Sequence, residues 1–281
     1  MRLSTMRRER YNGQSTYESV NIMRRVRVAG PCLLVVFALG AVAATSASAT
    51  APEYGRCIKK GKAEGKGYTS SKCTAAGEGK KAKYEWIPGA GKTKFETKGG
   101  VGVLTSVGGE QVECKSESST GEFFEGNNKE AGNMKIKFNE CESLELTCST
   151  PGAKAGELVT NNVEGIVGWE NKAKKKTALE LYPAHSVSSG LFIEFECAGL
   201  VVKVRGKVLV PIKNDAMKTS ETLKYKASKG KQKPEKWEES SEKVILESSF
   251  KGGPYEQSGQ QITSVLKELA GEEALELNAV V

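Results

Sequence analysis

The chain has 281 residues, seven cysteines, one histidine (His185), one aspartate (Asp215) and a formal net charge of +8. Its length suffices for one large β domain or two small ones, each able to bury a core. The scarcity of histidine and aspartate excludes chemistry that depends on several of either residue. The positive charge is also uneven, because residues 1–49 contribute +5 and the rest of the chain only +3.

The N-terminal part is predicted to be a leader that the mature protein lacks. Residues 23–49 have the three parts of a Sec-type signal peptide: an arginine-rich start, the twelve-residue apolar stretch Leu33–Ala44, and small residues that favour cleavage near Ala49. That stretch is shorter than the roughly 20 residues that span a membrane. Residues 1–22 are interpreted as a spurious extension upstream of Met23, although the start codon itself stays open. We therefore expect a secreted or cell-envelope-associated protein with no membrane span after cleavage.

Six cysteines lie beyond the leader, and an even number in an exported chain predicts a disulfide framework. A zinc site is the weaker alternative, because even the closest two cysteines have six residues between them and the chain has one histidine. We predict no metal site and no other cofactor. The expected bonds close a short N-terminal loop, a hairpin-sized connection and the longest loop between two core-facing strands. They are Cys57–Cys73, Cys141–Cys148 and Cys114–Cys197, in that order.

Short runs with alternating apolar and polar residues fill the mature chain, which is rich in glycine. Each run is typical of a strand with one buried and one solvated face. The runs lie at 84–87, 93–98, 101–107, 110–116, 134–138, 144–148, 157–169, 177–182, 191–197, 202–210, 221–226 and 244–250. The fold class predicted is all-β: a Gly-rich antiparallel sandwich or barrel of many short strands, with a small disulfide-bridged N-terminal appendage.

Three local features qualify this pattern. Gly206 interrupts the alternation of residues 202–210, which indicates a bulge or a close backbone approach, and Lys207 beside it is expected to face solvent. Residues 262–277 offer the one mixed pattern with a helical component. The stretches Lys172–Lys176 and Lys229–Lys236 are predicted to be exposed loops.

The predicted organisation is a leader (1–49), an appendage (50–91) and an all-β body (92–281). Residues 50–91 are rich in lysine and glycine and contain few large apolar side chains. A segment of that composition cannot bury much surface, so a local disulfide would substitute for a core.

No catalytic motif is complete. Gly89–Thr93 resembles the end of a phosphate-binding loop, but the first glycine of that motif is replaced by Trp86. His185 and Ser186 are adjacent on the chain and therefore point apart, and Asp215 is the only aspartate that could orient the histidine. We predict no catalytic residues.

Glutamate pairs keep a secreted polysaccharide hydrolase open as an alternative, since such enzymes use two carboxyl groups. Glu194 and Glu196 share one face of a predicted strand. That spacing is automatic for residues two apart, so a solvated strand face is the preferred interpretation.

Exposed aromatic side chains could stack on a sugar ligand, and Trp86, Trp169 and Trp237 are the candidates. Core packing is the commoner use of such residues in β proteins. Nucleic acid is not expected as a partner, because only Arg56 and Arg205 remain after the leader and arginine makes most bidentate phosphate and base contacts.

Several short segments resemble those of a family of exported, disulfide-bonded actinobacterial β proteins to which no function is assigned. They are Pro52–Cys57, Tyr84–Trp86, Glu140–Cys141, Phe195–Gly199, Val204–Gly206 and Asn278–Val281. The resemblance implies export and a bacterial envelope context, and it implies no catalytic residues.

The function expected from the sequence is that of an exported, non-catalytic module with a binding or structural role in the cell envelope or outside the cell. Its partner would be a cell-wall polymer or another extracellular protein. The alternatives are the hydrolase above and an inhibitor of secreted proteases, which would use the segment between Cys57 and Cys73 as a pinned loop.

Overall fold

The computed structural model describes residues 51–89, 93–124, 127–213, 219–269 and 276–278, the last three by their backbone only. These residues form antiparallel strands and one three-residue 3₁₀ turn, Gly79–Lys81, and they contain no α-helix. The N-terminal strands are β1 (Glu53–Lys59), β2 (Lys66–Tyr68), β3 (Ala76–Glu78), β4 (Tyr84–Pro88), β5 (Thr93–Gly99), β6 (Gly102–Ser106), β7 (Gln111–Phe123), β8 (Glu130–Ser143), β9 (Leu146–Ser149) and β10 (Leu158–Val159). The C-terminal strands are β11 (Val163–Asn171), β12 (Lys176–Pro183), β13 (Leu191–Cys197), β14 (Leu200–Gly206), β15 (Val208–Ile212), β16 (Ser220–Ser228), β17 (Lys231–Lys233), β18 (Leu246–Phe250), β19 (Glu256–Glu268) and β20 (Glu276–Asn278).

The large sheet closes on itself as a barrel. Backbone pairing runs through eight strands in the order β8, β9, β13, β14, β18, β19, β5 and β7, and β7 then pairs with β8 again. Closure leaves these strands without free edges and gives each an inner and an outer face. The inward residues form one apolar core, to which β13 contributes Ile193 and Phe195. The prediction of an antiparallel all-β fold is confirmed.

The remaining strands extend this wall. β11 pairs with β8 and with β12, β12 pairs with β15, and β16 pairs with the C-terminal half of β19. A cleft of about 450 Å³ lies between the end of β15 and β16, where Pro211 and Lys213 face Glu221 and Lys224. A second, smaller apolar cluster of Ala178, Leu209, Trp237 and Val244 packs apart from the barrel core.

Four strands of the N-terminal segment and the C-terminal strand β20 form a separate five-stranded sheet in the order β20, β1, β4, β2, β3. The Cys57–Cys73 disulfide links β1 to the turn after β2, as predicted. Tyr54 of β1 nevertheless belongs to the barrel core. The domain boundary predicted at residues 91 and 92 falls outside the described residues, and that division stays a prediction. The leader, residues 1–49, also lies outside them.

The other two disulfides differ from the predicted pairs Cys114–Cys197 and Cys141–Cys148. The structure has Cys114–Cys141 and Cys148–Cys197. In each bond the two cysteines are directly opposite on neighbouring strands, β7 with β8 and β9 with β13. A Cys114–Cys197 bond would have to cross β8 and β9, a span of three strand spacings or about 14 Å, whereas bridged cysteines have Cα atoms less than about 7 Å apart.

Three smaller predictions are also corrected. The mixed pattern at 262–277 begins inside β19, so its described N-terminal part is a strand. Lys229–Lys236 is not a simple exposed loop, because it contains β17 and the buried Gln232. Lys207 does not simply face solvent, since its Nζ lies 3.3 Å from Oε1 of the buried Glu180. Burial raises the pKa of Glu180, and the Lys207 ammonium opposes that shift.

Candidate functional site

A cavity of about 130 Å³ lies inside the barrel. Its wall is mostly apolar and draws on nearly every strand of the ring, with Phe95, Met134, Phe195 and Leu246 among the contributors. An apolar cavity of about 150 Å³ in another protein stays dry and binds benzene or xenon. The interior therefore has the size and surface to hold a small apolar molecule.

One carboxyl group interrupts this apolar wall. Glu117 of β7 is only 6% exposed, and it is the one charged residue among those described that line the cavity. Thr97 Oγ1 donates a hydrogen bond to Glu117 Oε1 at 2.5 Å, and Ser264 Oγ donates to Oε2 at 2.6 Å. Because the Thr97 proton is used in this way, the 2.6 Å contact between the hydroxyls of Ser119 and Thr97 places Ser119 as its donor.

The backbone around Glu117 provides room for its carboxylate. Gly99 of β5 is directly opposite Glu117 in the β5–β7 register. A Cβ atom at Gly99 would lie 2.7 Å from Glu117 Oε2 and 2.7 Å from Ser264 Oγ, closer than real Cβ contacts come. The carboxylate and its hydroxyl donor thus occupy the space that a side chain at position 99 would need.

The carboxylate of Glu117 has hydrogen-bond donors but no countercharge within the described part of the chain. Burial raises the pKa of Glu117, and the hydrogen bonds from Ser264 and Thr97 oppose that shift. Among the described residues, no lysine or arginine forms an ion pair with it. Burial, followed by the negative charge of Glu117, also raises the pKa of Tyr225, which lines the same cavity.

Three neighbouring aromatic rings form part of the cavity wall. The ring of Tyr54 meets that of Phe123 edge-on at a centroid distance of 4.7 Å, and Phe123 lies 5.1 Å from Phe95. Tyr54 comes from β1, outside the barrel wall, and is held there by a hydrogen bond from its backbone N–H to the carbonyl of Asn128. The N-terminal sheet therefore supplies part of the cavity lining.

The three tryptophans do not form a common stacking surface. Trp169 and Trp237 are buried, at 1% and 2% exposure, and Trp237 belongs to the smaller apolar cluster. Trp86 is half-buried in the N-terminal sheet, where its Nε1–H donates to Glu53 Oε1. Trp169 and Trp237 therefore present no ring face to solvent.

The weak catalytic candidates are not assembled among the described residues. His185 is exposed, and its Nε2 lies 4.0 Å from Glu164 rather than against a serine. Asp215 lies outside the described residues. Gly89 ends the described part of its loop, and Thr93 begins a strand where a phosphate-binding loop would need a helix.

The carboxylates proposed for a hydrolase are likewise solvated. Glu194 and Glu196 are exposed on the outer face of β13, and Glu194 Oε2 lies 3.3 Å from Lys203 Nζ. The cavity has only the Glu117 carboxyl in its described lining, and a two-carboxylate mechanism needs a second.

Metal-ligand clusters and membrane-spanning helices are both absent from the described residues. These residues contain no cluster of three or more histidine, cysteine, aspartate or glutamate residues placed to hold a metal ion. They also contain no helix with the length and apolar character needed to cross a membrane.

Sequence reasoning missed Glu117. The strand predicted at 110–116 stops one residue before it, because Lys115–Thr120 is almost entirely polar. The structure continues β7 to Phe123 and turns Glu117 and Ser119 inward. The signal that was available is that apolar residues resume at Phe123, so that a strand continued through the polar stretch would be apolar at both ends.

Comparison of the chain with protein-family models, with curated proteins and with solved structures finds no match.

Proposed function

We propose that this protein is exported and serves as a non-catalytic binding module whose ligand occupies the interior of the barrel. The observation that carries the proposal is the apolar cavity of about 130 Å³ inside the barrel. Protein interiors are normally packed with few voids larger than a water molecule. A void of this size costs stability, which a bound apolar ligand would restore.

Export is supported by two features of the chain. Three disulfides join all six cysteines of residues 51–281, which suits an oxidising, extracellular setting. Residues 23–49 have the pattern of a Sec-type signal peptide with cleavage near Ala49. The protein would then meet its ligand outside the cell or at the cell envelope.

Toluene is a suitable first probe, because it has the apolar character and roughly the volume that the cavity accepts. We would add it to the exported protein with labelled methyl groups and follow the methyl resonances by NMR. Those of cavity residues such as Ile193 and Val204 should shift, and the unfolding temperature should rise with toluene concentration.

The protein contains its own control for this experiment. Leu209 and Val244 lie in the smaller apolar cluster, which does not line the cavity. Their methyl resonances should stay in place. Unshifted cavity resonances, or equal shifts in both clusters, would refute internal binding.

A further inference from the structure

We propose that the ligand of the barrel cavity is a small primary amine with an apolar body, whose ammonium group binds the carboxylate of Glu117. This inference rests on the proposed internal binding function and adds the chemical class of the ligand. Three features of the site support it: the unused acceptor capacity of Glu117, the absence of a countercharge, and the size of the surrounding apolar space.

The carboxylate of Glu117 requires donors and has acceptor positions left. An ionised carboxylate offers about four lone-pair positions. Thr97 and Ser264 use one on each oxygen, and both of them act as donors. A ligand group that meets these oxygens must therefore carry N–H or O–H protons. A carboxylate, ether or carbonyl head group would repel them.

Charge selects an ammonium over a neutral donor. Burial of Glu117 disfavours its negative charge, and among the described residues no cation offsets that charge. The folded protein has already removed this carboxylate from water, so an entering cation adds attraction at the cost of its own desolvation alone. Hydrogen bonds between ionised partners are also roughly twice as strong as those between neutral ones.

The rest of the cavity limits the body of the ligand. The neighbours of Glu117 that titrate or carry polar groups are Thr97, Ser119, Tyr225 and Ser264, and beyond them the lining is chiefly aliphatic and aromatic. A volume of about 130 Å³ suits one ring or a short alkyl chain. Benzylamine combines such a body with a primary ammonium group.

The test compares benzylamine, benzyl alcohol and toluene on the wild-type protein and on the Glu117→Gln variant. We expect the affinity for benzylamine to fall at least tenfold in the variant, whereas toluene should bind both proteins within threefold. Glutamine keeps the shape of the side chain and removes its charge, so the comparison isolates the charge.

Each outcome decides between the two proposals. If toluene binds, and benzylamine has the same affinity for wild type and for the variant, the amine assignment is overturned and internal binding stands. If the Glu117→Gln variant loses affinity for benzyl alcohol only, the ligand group that meets Glu117 is a neutral hydroxyl donor. That result would also overturn the amine assignment. Failure of all three ligands to bind the wild-type protein would overturn internal binding itself.

A measurement on the wild-type protein covers the case in which the variant does not fold. The ¹³C resonance of the Glu117 carboxyl group should move toward its ionised position when benzylamine is added at mildly acidic pH. Toluene should leave it unchanged. A resonance that responds alike to both compounds would refute contact between the ammonium and this carboxylate.

Discussion

Replacing Gly99 with alanine should disrupt the polar side of the cavity, and Gly100 provides a matched control. The new Cβ would lie 2.7 Å from both Glu117 Oε2 and Ser264 Oγ, and 3.0 Å from Ile262 Cδ1. A Cβ at Gly100, the next residue, would meet nothing within 4 Å. Neither glycine has a left-handed backbone conformation, so alanine is compatible with both backbones.

The magnitude follows from what Gly99→Ala displaces. Overpacking a well-packed interior costs about 1–3 kcal/mol. Pushing the carboxylate away from the Ser264 hydroxyl removes a hydrogen bond to a charged group, worth about 1.5–3 kcal/mol. We therefore expect Gly99→Ala to lower the free energy of unfolding by about 2.5–6 kcal/mol. Gly100→Ala should raise it by about 0.4–1 kcal/mol through the unfolded chain.

Thermal unfolding of the two variants, with the disulfides intact, measures this difference. For a folded part of this size, each kcal/mol shifts the melting temperature by roughly 2–4 °C, so the two variants should differ by about 6–28 °C. Equal melting temperatures would show that the carboxylate of Glu117 does not occupy the space beside Gly99, and the description of the polar site would fail with it.

Three further predictions concern charge, backbone and export. Because folding raises the pKa of Glu117, the stability that this group contributes is present below the ordinary glutamate pKa of about 4.3 and is lost as pH rises through the folded pKa. Urea unfolding at a series of pH values should therefore show wild type losing stability relative to Glu117→Gln over that window. A difference that stays constant with pH would contradict this. Gly206→Ala should destabilise the protein more than Gly109→Ala. Both glycines have φ above +90°, but only at Gly206 would a Cβ lie 2.2 Å from a backbone oxygen, that of Ile245. Equal melting temperatures of the two variants would show that this close approach does not exist. Protein recovered from the culture medium of an expressing host should have the intact mass of a chain that begins at Thr50, and a retained leader would refute the signal-peptide assignment.

Alternating apolar residues were sufficient to predict the antiparallel strands of the barrel wall. The run at 191–197 coincides with β13, because its apolar residues are buried and its two glutamates are exposed. The runs at 93–98 and 244–250 overlap β5 and β18. Gly206 was also informative, since its interruption of such a run predicted a bulge or a close backbone approach. The structure has a close approach there, to the backbone oxygen of Ile245. These features are local, and a single strand contains the information for them.

Strand order and register are not local, and the disulfide pairing failed for that reason. The bond Cys141–Cys148 was predicted from the short distance between these residues along the chain. The register of the β8–β9 hairpin does pair their neighbours, Glu142 with Thr147. However, β7 places Cys114 opposite Cys141, and β13 places Cys197 opposite Cys148. The four cysteines thus form one row across neighbouring strands, where a choice of partner depends on strands that are distant in sequence.

The candidate site was missed because it violates the pattern that revealed the strands. Thr97, Glu117, Ser119 and Ser264 all point into the barrel, where alternation predicts apolar side chains. Their polar groups are satisfied by one another across three strands, β5, β7 and β19, which no single run can show. A buried carboxyl group that has no countercharge among the described residues costs stability. Its presence among otherwise apolar inward positions is the kind of local conflict that marks a functional site, and a cationic ligand would resolve it.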